Sequence, residues 1–351
     1  MAIFSGKSII LAAPMQYGFS DLIERELRFQ GFEVYNLSFI QHEFKYKNIA
    51  ERLNCYIHKN FLGQKDYKTY LKFKRVEREM MARLADIPYV DYALVIRPDQ
   101  YSKGFIDAIG CKADKIGGYQ WDGLNRYPAV YQRINCFDRF FVFDPKDAKY
   151  PNRLPITNFY THSFDVSRSS EYASDLYYIG SYIKKRTSQV EEIITTLQDR
   201  GLAVKCHIYR NRKRKAHLRH LMTSSVNMTY HENLQFVFNS RMLLDVPTEH
   251  HNGLSFRVLE AIGFNKKLIT TNEEIKGYDF YHPNNIFVWD KRAHENIQAF
   301  LDAPYVELDD RIKAKYSFSR WITNMLEEHQ EEQVVAQRTV QHVRLEPALV
   351  Y

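Results

Sequence analysis

The chain has few cysteines and lacks the common cofactor motifs. Its four cysteines, at positions 55, 111, 136 and 206, are widely scattered, without a Cys-x-x-Cys pair or zinc-like spacing. This argues against a disulfide framework or a zinc ribbon, and we expect buried or free thiols in a reducing compartment. No Gly-x-Gly-x-x-Gly occurs, so a dehydrogenase-type dinucleotide site is not expected. The segment Gly6-Lys7-Ser8 is not a phosphate-binding P-loop, because the upstream glycine is absent and the segment precedes a strand.

Motifs for a catalytic metal are also missing. His-Glu pairs occur at His42, His231 and His294, but none continues to His-Glu-x-x-His, and no Asp-x-Asp triplet is present. The segment Glu249-His250-His251 could be read as a metal cluster. Adjacent side chains diverge on a regular element, however, so a polar loop is the favoured interpretation. We therefore expect no metal and no cofactor, with positive side chains and a helix end neutralising a leaving diphosphate.

Long hydrophobic runs are absent too. The apolar run Ser8–Ala13 is too short to span a bilayer and lacks the flanks of a signal peptide, so it is interpreted as a first buried strand. We expect a cytoplasmic protein. A length of 351 residues suits two domains of about 150 residues each. An apolar content of 45%, with 15% aromatic residues, argues against wholesale disorder.

The formal net charge of +7 is unevenly distributed, and the sharpest basic run is Arg210–His220, with six Lys and Arg residues and no carboxylate. Anionic lipid, a phosphorylated acceptor or nucleic acid could bind it, or it could be a solvated helix start. Nucleic acid is the weakest candidate, because no aromatic–basic interleaving accompanies the run, and we expect no nucleic-acid partner. The segment predicts peripheral, electrostatic attachment to an anionic membrane surface.

Strand-like and helix-like patterns alternate in both halves. The first half predicts strands at Lys7–Pro14, Phe32–Phe39, Asp91–Arg97, Lys115–Tyr119 and Asp138–Phe143, and helices at Ser20–Gln30 (capped by Ser20) and Ser102–Ile109. The stretch Asn48–Ile87 is predicted to be largely helical, with an interruption around Gly63. The second half predicts strands at Leu176–Ile179, Leu202–Tyr209, Met242–Val246 and Lys267–Thr271, and helices at Ser188–Arg200, near Lys215–Thr223, near Leu234–Ser240 and at Ser255–Gly263.

This alternation predicts an α/β protein with two Rossmann-like, doubly wound domains that face each other across a cleft. We expect a first domain at 1–165 and a second domain at 174–315. A helix at 316–328, containing Trp321, would cross back to the first domain, and 329–351 would form a polar tail. Open α/β sheets bind ligands beyond the carboxyl ends of their strands, which predicts a site between the domains.

The most informative stretch runs from Leu243 to Asn272. It predicts a strand, a polar turn containing Gly253, a helix opening at Ser255 and a second strand that ends in Thr271 and Asn272. Exposed N–H groups and the helix dipole at such a helix start favour anions. Arg257 and Glu260 are three residues apart and share a helix face, either as ligand contacts or as a plain ion pair.

Other candidates also follow predicted strands. Gly180 and Ser181 precede Lys184 and Arg186, which could reach a diphosphate, although solvent-facing cations of an ordinary βα turn are the alternative. In the first half the candidates are Gly18, Arg97, Asp99, Trp121 and Asp122. Asp122 beside Trp121 could be a general base or hold an acceptor hydroxyl, or it could cap a turn through its own backbone.

Residues 174–325 resemble the donor-binding domain of GT-B glycosyltransferases of bacterial surface-polysaccharide synthesis. The stretches that carry the resemblance are Tyr178–Tyr182, Asn252–Gly263, Lys266–Asn272 and Asp279–Ile286, with softer similarity at Tyr119–Asp122 and Phe137–Asp144. Glu260 matches the C-terminal glutamate of the donor signature in that family, whereas position 252 is Asn.

The resemblance implies a Leloir-type glycosyltransferase that moves a sugar from a nucleotide-sugar donor to a glycan or lipid-linked acceptor, in lipopolysaccharide or capsule synthesis. The implied donor-binding residues are Gly180, Ser181, Lys184, Arg186, Asn252, Gly253, Ser255, Arg257, Glu260, Thr271 and Asn272. Acceptor binding is assigned to Gly18, Arg97, Asp99 and Trp121, and catalysis to Asp122. Two alternatives stay open: a non-catalytic nucleotide- or glycan-binding protein, and a polyol-phosphate transferase.

Overall fold

The computed structural model describes residues 3–39, 44–62, 67–163, 172–210, 223–224, 228–248, 253–290 and 292–327. The basic run from 211 to 220, the segment 249–252 and the predicted tail lie outside these residues. Within the described ranges, no helix combines the length and the apolar character that a membrane span requires.

The first half folds into a parallel sheet with helices on its faces. Its described strands are β1 (Ser8–Ala12), β2 (Glu33–Asn36), β3 (Val90–Ile96), β4 (Ala113–Gln120), β5 (Arg139–Val142) and β6 (Leu154–Pro155), in the spatial order β2-β1-β3-β4-β5-β6. Its helices are α1 (Phe19–Phe29), α2 (Ile49–Asn60), α3 (Tyr67–Lys74), α4 (Glu77–Ala85) and α5 (Lys103–Gly110). The order reverses at β1, which pairs in parallel with both β2 and β3.

The second half repeats this architecture. Its described strands are β7 (Ser174–Ser181), β8 (Val204–Tyr209), β9 (Thr223–Ser224), β10 (Ser240–Asp245), β11 (Lys267–Thr270) and β12 (Ile286–Val288), in the order β12-β11-β10-β7-β8-β9. The helices are α6 (Lys184–Gln198), α7 (Tyr230–Phe238), α8 (Phe256–Gly263), α9 (Ala293–Asp302), α10 (Asp310–Lys315) and α11 (Phe318–Leu326). Here β7 lies at the switch point between β8 and β10. The predicted fold class, two Rossmann-like α/β units, is therefore confirmed.

The last helix packs on the sheet of the first half. Phe318, Trp321 and Met325 of α11 are buried in the same apolar cluster as residues of β1, β3 and β4. Chain segments near Tyr160 and Ser317 pair in parallel: Tyr160 N donates to Tyr316 O at 2.9 Å, and Phe318 N donates to Tyr160 O at 2.9 Å. The chain therefore passes between the two halves twice at one place.

Several local predictions differ from the structure. Ser20 is not the cap of α1, because the helix begins at Phe19 and Gly18 precedes it in the left-handed region at φ 69°. The described residues between 48 and 87 form the helices α2, α3 and α4, and the side chain of Asn48 caps α2 by accepting from Glu51 N. The short edge strands β6, β9 and β12 were not predicted; β9 begins at Thr223, and the rest of the helix predicted near 215–223 lies outside the described residues.

Candidate functional site

A cleft of about 810 Å³ lies where the carboxyl ends of the two sheets meet. The residues that line it follow β4, β5, β7 and β10: Gly123, Leu124, Asn125, Arg126, Asp144, Lys146, Asp147, Ile183, Lys185, Arg186, Gln189, Pro247 and Thr248. Its volume is within the usual range for small-molecule sites, and its position is where open α/β sheets bind ligands. Four of the lining residues are cations and two are carboxylates.

The start of α6 forms the cationic wall of this cleft. Ile183 is the N-cap and its side chain makes no cap hydrogen bond, so no capping side chain offsets the positive end of the helix dipole here. Lys185 and Arg186 line the cleft, whereas the predicted Lys184 is exposed beside it. A helix start flanked by two cations is a suitable site for a phosphate or diphosphate.

The side chain of Tyr178 lies near three residues that the sequence predicted for donor binding, Gly180, Arg186 and Arg257. A Cβ atom at Gly180 would lie 2.5 Å from the Tyr178 hydroxyl, so glycine at 180 makes room for that ring. Burial raises the pKa of Tyr178, and the charges of Arg186 and Arg257 act in the opposite direction. Arg257 Nη1 also donates to Ile179 O at 3.2 Å. Both arginines therefore lie at the carboxyl end of β7.

Ser255 begins α8 without capping it. Its hydroxyl donates to Asp245 Oδ1 at 2.7 Å, and the Thr270 hydroxyl donates to Asp245 Oδ2 at 2.9 Å. The buried Asp245 thereby ties the ends of β10 and β11 to the start of α8. The Ser255 hydroxyl is therefore occupied by a structural hydrogen bond at the carboxyl edge of the second sheet.

Glu260 faces the protein interior and is only 1% exposed. Asn233 Nδ2 donates to its Oε1 at 3.3 Å. Burial raises the pKa of Glu260, while Arg257, Tyr230 and Asn233 act to lower it. The side chain of Glu260 therefore points from α8 toward α7. A ribose could contact it only if α7 and α8 moved apart.

The remaining predicted donor residues have other contacts or fall outside the described chain. Thr271 N donates to Asp245 O at 3.2 Å, and Asn272 accepts from Glu274 N to cap the next turn. A Cβ atom at Gly253 would lie 2.6 Å from Phe143 O, so this glycine allows the two halves to approach each other. Asn252 lies outside the described residues.

The loop after β1 crosses to the second half. Tyr17 has a positive φ of 60°, and its hydroxyl makes a side-chain hydrogen bond with Ser181 at the end of β7. A Cβ atom at Gly18 would lie 3.8 Å from Thr229 Cβ, at the start of α7. Gly18 is thus at the interface between the halves, and Tyr17, which sequence reasoning missed, reaches the carboxyl end of β7.

Aromatic rings continue this contact. The Phe19 ring is 4.7 Å from Trp121, 5.1 Å from Phe256 and 6.0 Å from Tyr230, measured between centroids. Trp121, predicted to bind an acceptor, therefore packs against a ring that joins α1 to α7 and α8. Edge-to-face contacts of this kind fix ring positions as well as burying area.

Charged residues of the first half are bound to one another. Arg97, in the left-handed region at φ 59°, makes a bidentate pair with Asp99 at 2.7 and 2.8 Å, and both are buried. Arg97 Nη1 also donates to Asp122 Oδ2 at 2.7 Å, and Arg126 Nη1 donates to Asp122 Oδ1 at 3.0 Å. Both oxygens of Asp122 are thus held by arginines, which suits a positioned wall better than a proton acceptor.

Asp147 is a second carboxylate and lines the cleft itself. Leu124 N donates to its Oδ2 at 2.9 Å. Burial raises the pKa of Asp147, the Leu124 hydrogen bond acts against this, and the nearby Asp144 adds to it. A partly desolvated carboxylate in a cleft has the character expected of a general base. The sequence signal was Asp144–Asp147 directly after a strand, which resembles the pattern that singled out Asp122.

Comparison with known proteins gives similarity in structure alone. No family model matches the chain, and no curated protein matches it at significance. Among solved structures, the glycotransferase of kitacinnamycin is 11% identical with a TM-score of 0.46, covering 92% of this chain and 99% of that one. The lipopolysaccharide outer core galactosyltransferase WaaB, in its apo form, is 12% identical with a TM-score of 0.44, covering 90% and 97%. A UDP-N-acetylglucosamine 2-epimerase is 10% identical with a TM-score of 0.41, covering 88% and 94%. We draw nothing about chemistry from similarities of this size.

Proposed function

We propose that this protein is a glycosyltransferase that uses a nucleotide-sugar donor and transfers the sugar to a glycan or lipid-linked acceptor. The observation that carries the proposal is the start of α6, where an uncapped helix N-terminus, Lys185 and Arg186 line one side of a cleft. A nucleoside diphosphate leaves with negative charge, and preformed cations and amide dipoles stabilise that charge without rearranging during the reaction.

The opposite wall provides the groups that an acceptor needs. Asp147 and Asp144 face the cleft, and Asp147 has a pKa raised mainly by its burial. A carboxylate in this position can take the proton of an attacking hydroxyl as the new glycosidic bond forms. Asp122, predicted for this role, stays a candidate, although its two arginine contacts leave Asp147 better suited to accept a proton.

The reaction that we propose does not depend on a metal ion. Arg126, Lys146, Lys185 and Arg186 place four cations around the same cleft, and a charge of this size can neutralise a diphosphate. Turnover should therefore persist in a chelator. Loss of turnover in EDTA, restored by a divalent cation, would contradict this part of the proposal.

The cellular setting that we propose is bacterial surface-polysaccharide synthesis at the cytoplasmic face of the plasma membrane. The support is the sequence resemblance of residues 174–325 together with the basic run at 210–220. Such a setting would supply a lipid-linked acceptor at an anionic surface. Transfer to lipid-linked glycans, in preference to soluble sugars, is the expected acceptor profile.

The proposal is tested with a panel of nucleoside diphosphates and their sugars. One of the nucleoside diphosphates UDP and GDP, or the monophosphate CMP added to the panel, should raise the melting temperature, because a ligand that binds only the folded state stabilises it. The double variant Lys185→Gln/Arg186→Gln should weaken that binding about 100-fold or more, since each lost charged contact contributes about 1.5–3 kcal/mol. Lys184→Gln is the matched control, because Lys184 is exposed beside the cleft.

Two outcomes would overturn the proposal. If no nucleotide of the panel binds, or if the double variant binds as well as the wild type, the start of α6 is not the donor site. Tight nucleotide binding without turnover on any acceptor, lipid-linked acceptors included, would instead identify a non-catalytic binding protein.

A further inference from the structure

Helix α2 presents an apolar stripe to solvent. Ile49, Leu53, Tyr56 and Ile57 are 85%, 57%, 59% and 40% exposed. Their spacing of four, seven and eight residues places them on one side of the helix. The buried Cys55 lies on the other side, toward the protein. An amphipathic helix of a globular protein normally turns its apolar side inward, and α2 is oriented the opposite way.

The stripe continues into the turn after the helix. Phe61 and Leu62 are 75% and 56% exposed. We call the six side chains Ile49, Leu53, Tyr56, Ile57, Phe61 and Leu62 the docking face. Single exposed apolar residues are common, but a contiguous group of this size marks an interaction surface.

Positive charge surrounds the docking face. Residues 44–76 contain nine Lys and Arg residues against two acidic ones, a formal net charge of +7 that equals the net charge of the whole chain. Lys45, Lys47, Arg52 and Lys59 are exposed. Arg52 and Lys59 are seven residues apart, so both lie along one flank of the stripe.

The combination selects one kind of partner. Four of the six side chains of the docking face, Ile49, Leu53, Ile57 and Leu62, are aliphatic and offer no ring on which a nucleic-acid base could stack, so Tyr56 and Phe61 are a minority of the surface. A second copy of the chain would bring its own positive charge against this one. An anionic lipid bilayer satisfies both features, because its interface accepts apolar side chains and its headgroups attract cations.

We propose that the docking face binds the surface of an anionic lipid bilayer, with Ile49, Leu53 and Phe61 inserted between headgroups and the flanking cations bound to lipid phosphates. This binding site differs from the basic run at 210–220 and does not depend on the donor chemistry proposed above. The attachment is peripheral, since α2 lies along the protein and would lie along the membrane.

The location of the docking face connects it to the cleft. Helices α3 and α4 follow α2 in the chain. Val76 and Met80, at the start of α4 and within it, line a pocket of about 410 Å³ together with Met15 and Phe39, which lie in the loops after β1 and β2. Met15 is two residues before Tyr17, whose side chain reaches Ser181. A bilayer bound at the docking face would therefore lie beside the carboxyl edge of the first sheet, where a lipid-linked acceptor would be presented.

The test is sedimentation of the full chain with phosphatidylcholine vesicles, with and without phosphatidylglycerol. We expect binding only to the vesicles that contain phosphatidylglycerol, and weaker binding in high salt. Leu53→Gln/Phe61→Gln should weaken binding tenfold or more at low salt. Lys45→Gln/Lys47→Gln/Lys59→Gln should weaken it roughly fivefold for each cation removed and reduce its dependence on salt.

Matched controls separate the docking face from general surface effects. Ile3→Gln/Phe29→Gln removes two apolar side chains of similar exposure elsewhere, and Lys205→Gln/Lys276→Gln removes two exposed cations of the second half. Both controls should bind like the wild type. The melting temperature and nucleotide binding of every variant report whether its fold is intact, so failure here is distinguishable from failure of the proposed function.

Three results would overturn the proposal. The first is no binding to phosphatidylglycerol vesicles at low salt. The second is wild-type binding by the Leu53→Gln/Phe61→Gln variant. The third is binding that is lost only when Arg212, Lys213, Arg214 and Lys215 are changed to Gln. Self-association or RNA binding that disappears with the docking-face variant, in the absence of vesicle binding, would assign the face to that partner instead.

Discussion

The carboxyl edges of the two sheets have similar backbones but use charge differently. In the first half, Arg97 and Arg126 pair with Asp99 and Asp122, and Arg97 and Asp99 are buried. In the second half, Lys185 and Arg186 line the cleft beside an uncapped helix start. The first edge is thus a wall of charges fixed by one another, and the second is the edge at which we propose that an anion binds. Charged residues that directly follow a strand can therefore either hold a loop together or line a cleft.

The strongest test of this comparison concerns the two carboxylates of the first half. Asp147→Asn should lower turnover about 10²- to 10⁴-fold with nucleotide affinity nearly unchanged, because a general base contributes about that much. Asp122→Asn should lower turnover by less, since both Asp122 oxygens are already held by arginines. Steady-state kinetics with a fixed acceptor give both values. If Asp122→Asn lowers turnover more than Asp147→Asn does, then Asp122 is the general base and Asp147 has only a structural role.

Within the first half, removing a buried charge pair should reduce the free energy of unfolding more than removing an exposed one. Arg97→Gln leaves the buried Asp99 without its bidentate partner and should reduce the free energy of unfolding by about 3–5 kcal/mol. Arg126→Gln removes a mostly exposed partner of Asp122 and should cost about 0–1 kcal/mol. Urea unfolding of both variants provides the comparison. Equal losses of unfolding free energy in the two variants would mean that the buried Arg97–Asp99 pair stabilises the fold no more than the exposed Arg126 does.

Contact between the two edges can be tested at Gly253. An alanine there would bring its Cβ within 2.6 Å of Phe143 O, so Gly253→Ala should cost about 1–3 kcal/mol through overpacking. Gly104 lies in α5 with nothing within 4 Å of an added Cβ, so Gly104→Ala should stabilise by about 0.5–1 kcal/mol. Thermal unfolding measures both changes. A neutral Gly253→Ala would show that the halves are not in tight contact there.

The smallest effect is expected at Glu260, the buried acid behind the donor-side edge. Burial raises its folded-state pKa above the unfolded value, so wild-type stability declines as pH rises through the folded pKa. Glu260→Gln has no such charge to form. The difference in melting temperature, variant minus wild type, should therefore grow as pH rises from below the usual glutamate range and then level off. We expect a final difference of about 2–4 °C, which corresponds to about 1 kcal/mol.

The exposed Glu192→Gln provides the baseline for these melting curves. A Glu260→Gln curve that stays parallel to the wild type at every pH would contradict the buried, charge-disfavouring environment. It would also reopen Glu260 as a ligand contact.

The alternation of strands and helices was sufficient to predict both parallel sheets, because hydrophobic periodicity depends on local spacing. The short edge strands β6, β9 and β12 were missed, since two or three residues give no periodic signal. The predicted cap at Ser20 was wrong because Gly18 adopts a left-handed conformation that no pattern of polar residues reveals. Local sequence thus predicts the elements better than the residues that end them.

The sequence predicted several of the loops that line the cleft, but many of the side chains it named make other contacts. Lys184 was chosen and Lys185 missed, because the side chains that face the cleft depend on the residue at which α6 begins. Arg97 and Asp122 are 25 residues apart, and their pairing depends on how β3 and β4 align. Tyr17 lies in the left-handed region, where a non-glycine residue has no sequence signature. Contacts made across the sheet or across the cleft are therefore visible only in the structure.

The paired crossing at Tyr160 and Ser317 determines how the cleft can open. Just beyond it, Glu26 of α1 accepts from His162 N at 3.1 Å, Ser163 N at 2.8 Å and the Ser163 hydroxyl at 2.6 Å, which fastens the first connection to the first half. The two connections hold the halves together at one place. Any rotation of one half relative to the other about that place would have to break the Tyr17–Ser181 hydrogen bond and the contacts of the Phe19 ring with Tyr230 and Phe256, so these contacts oppose opening of the cleft.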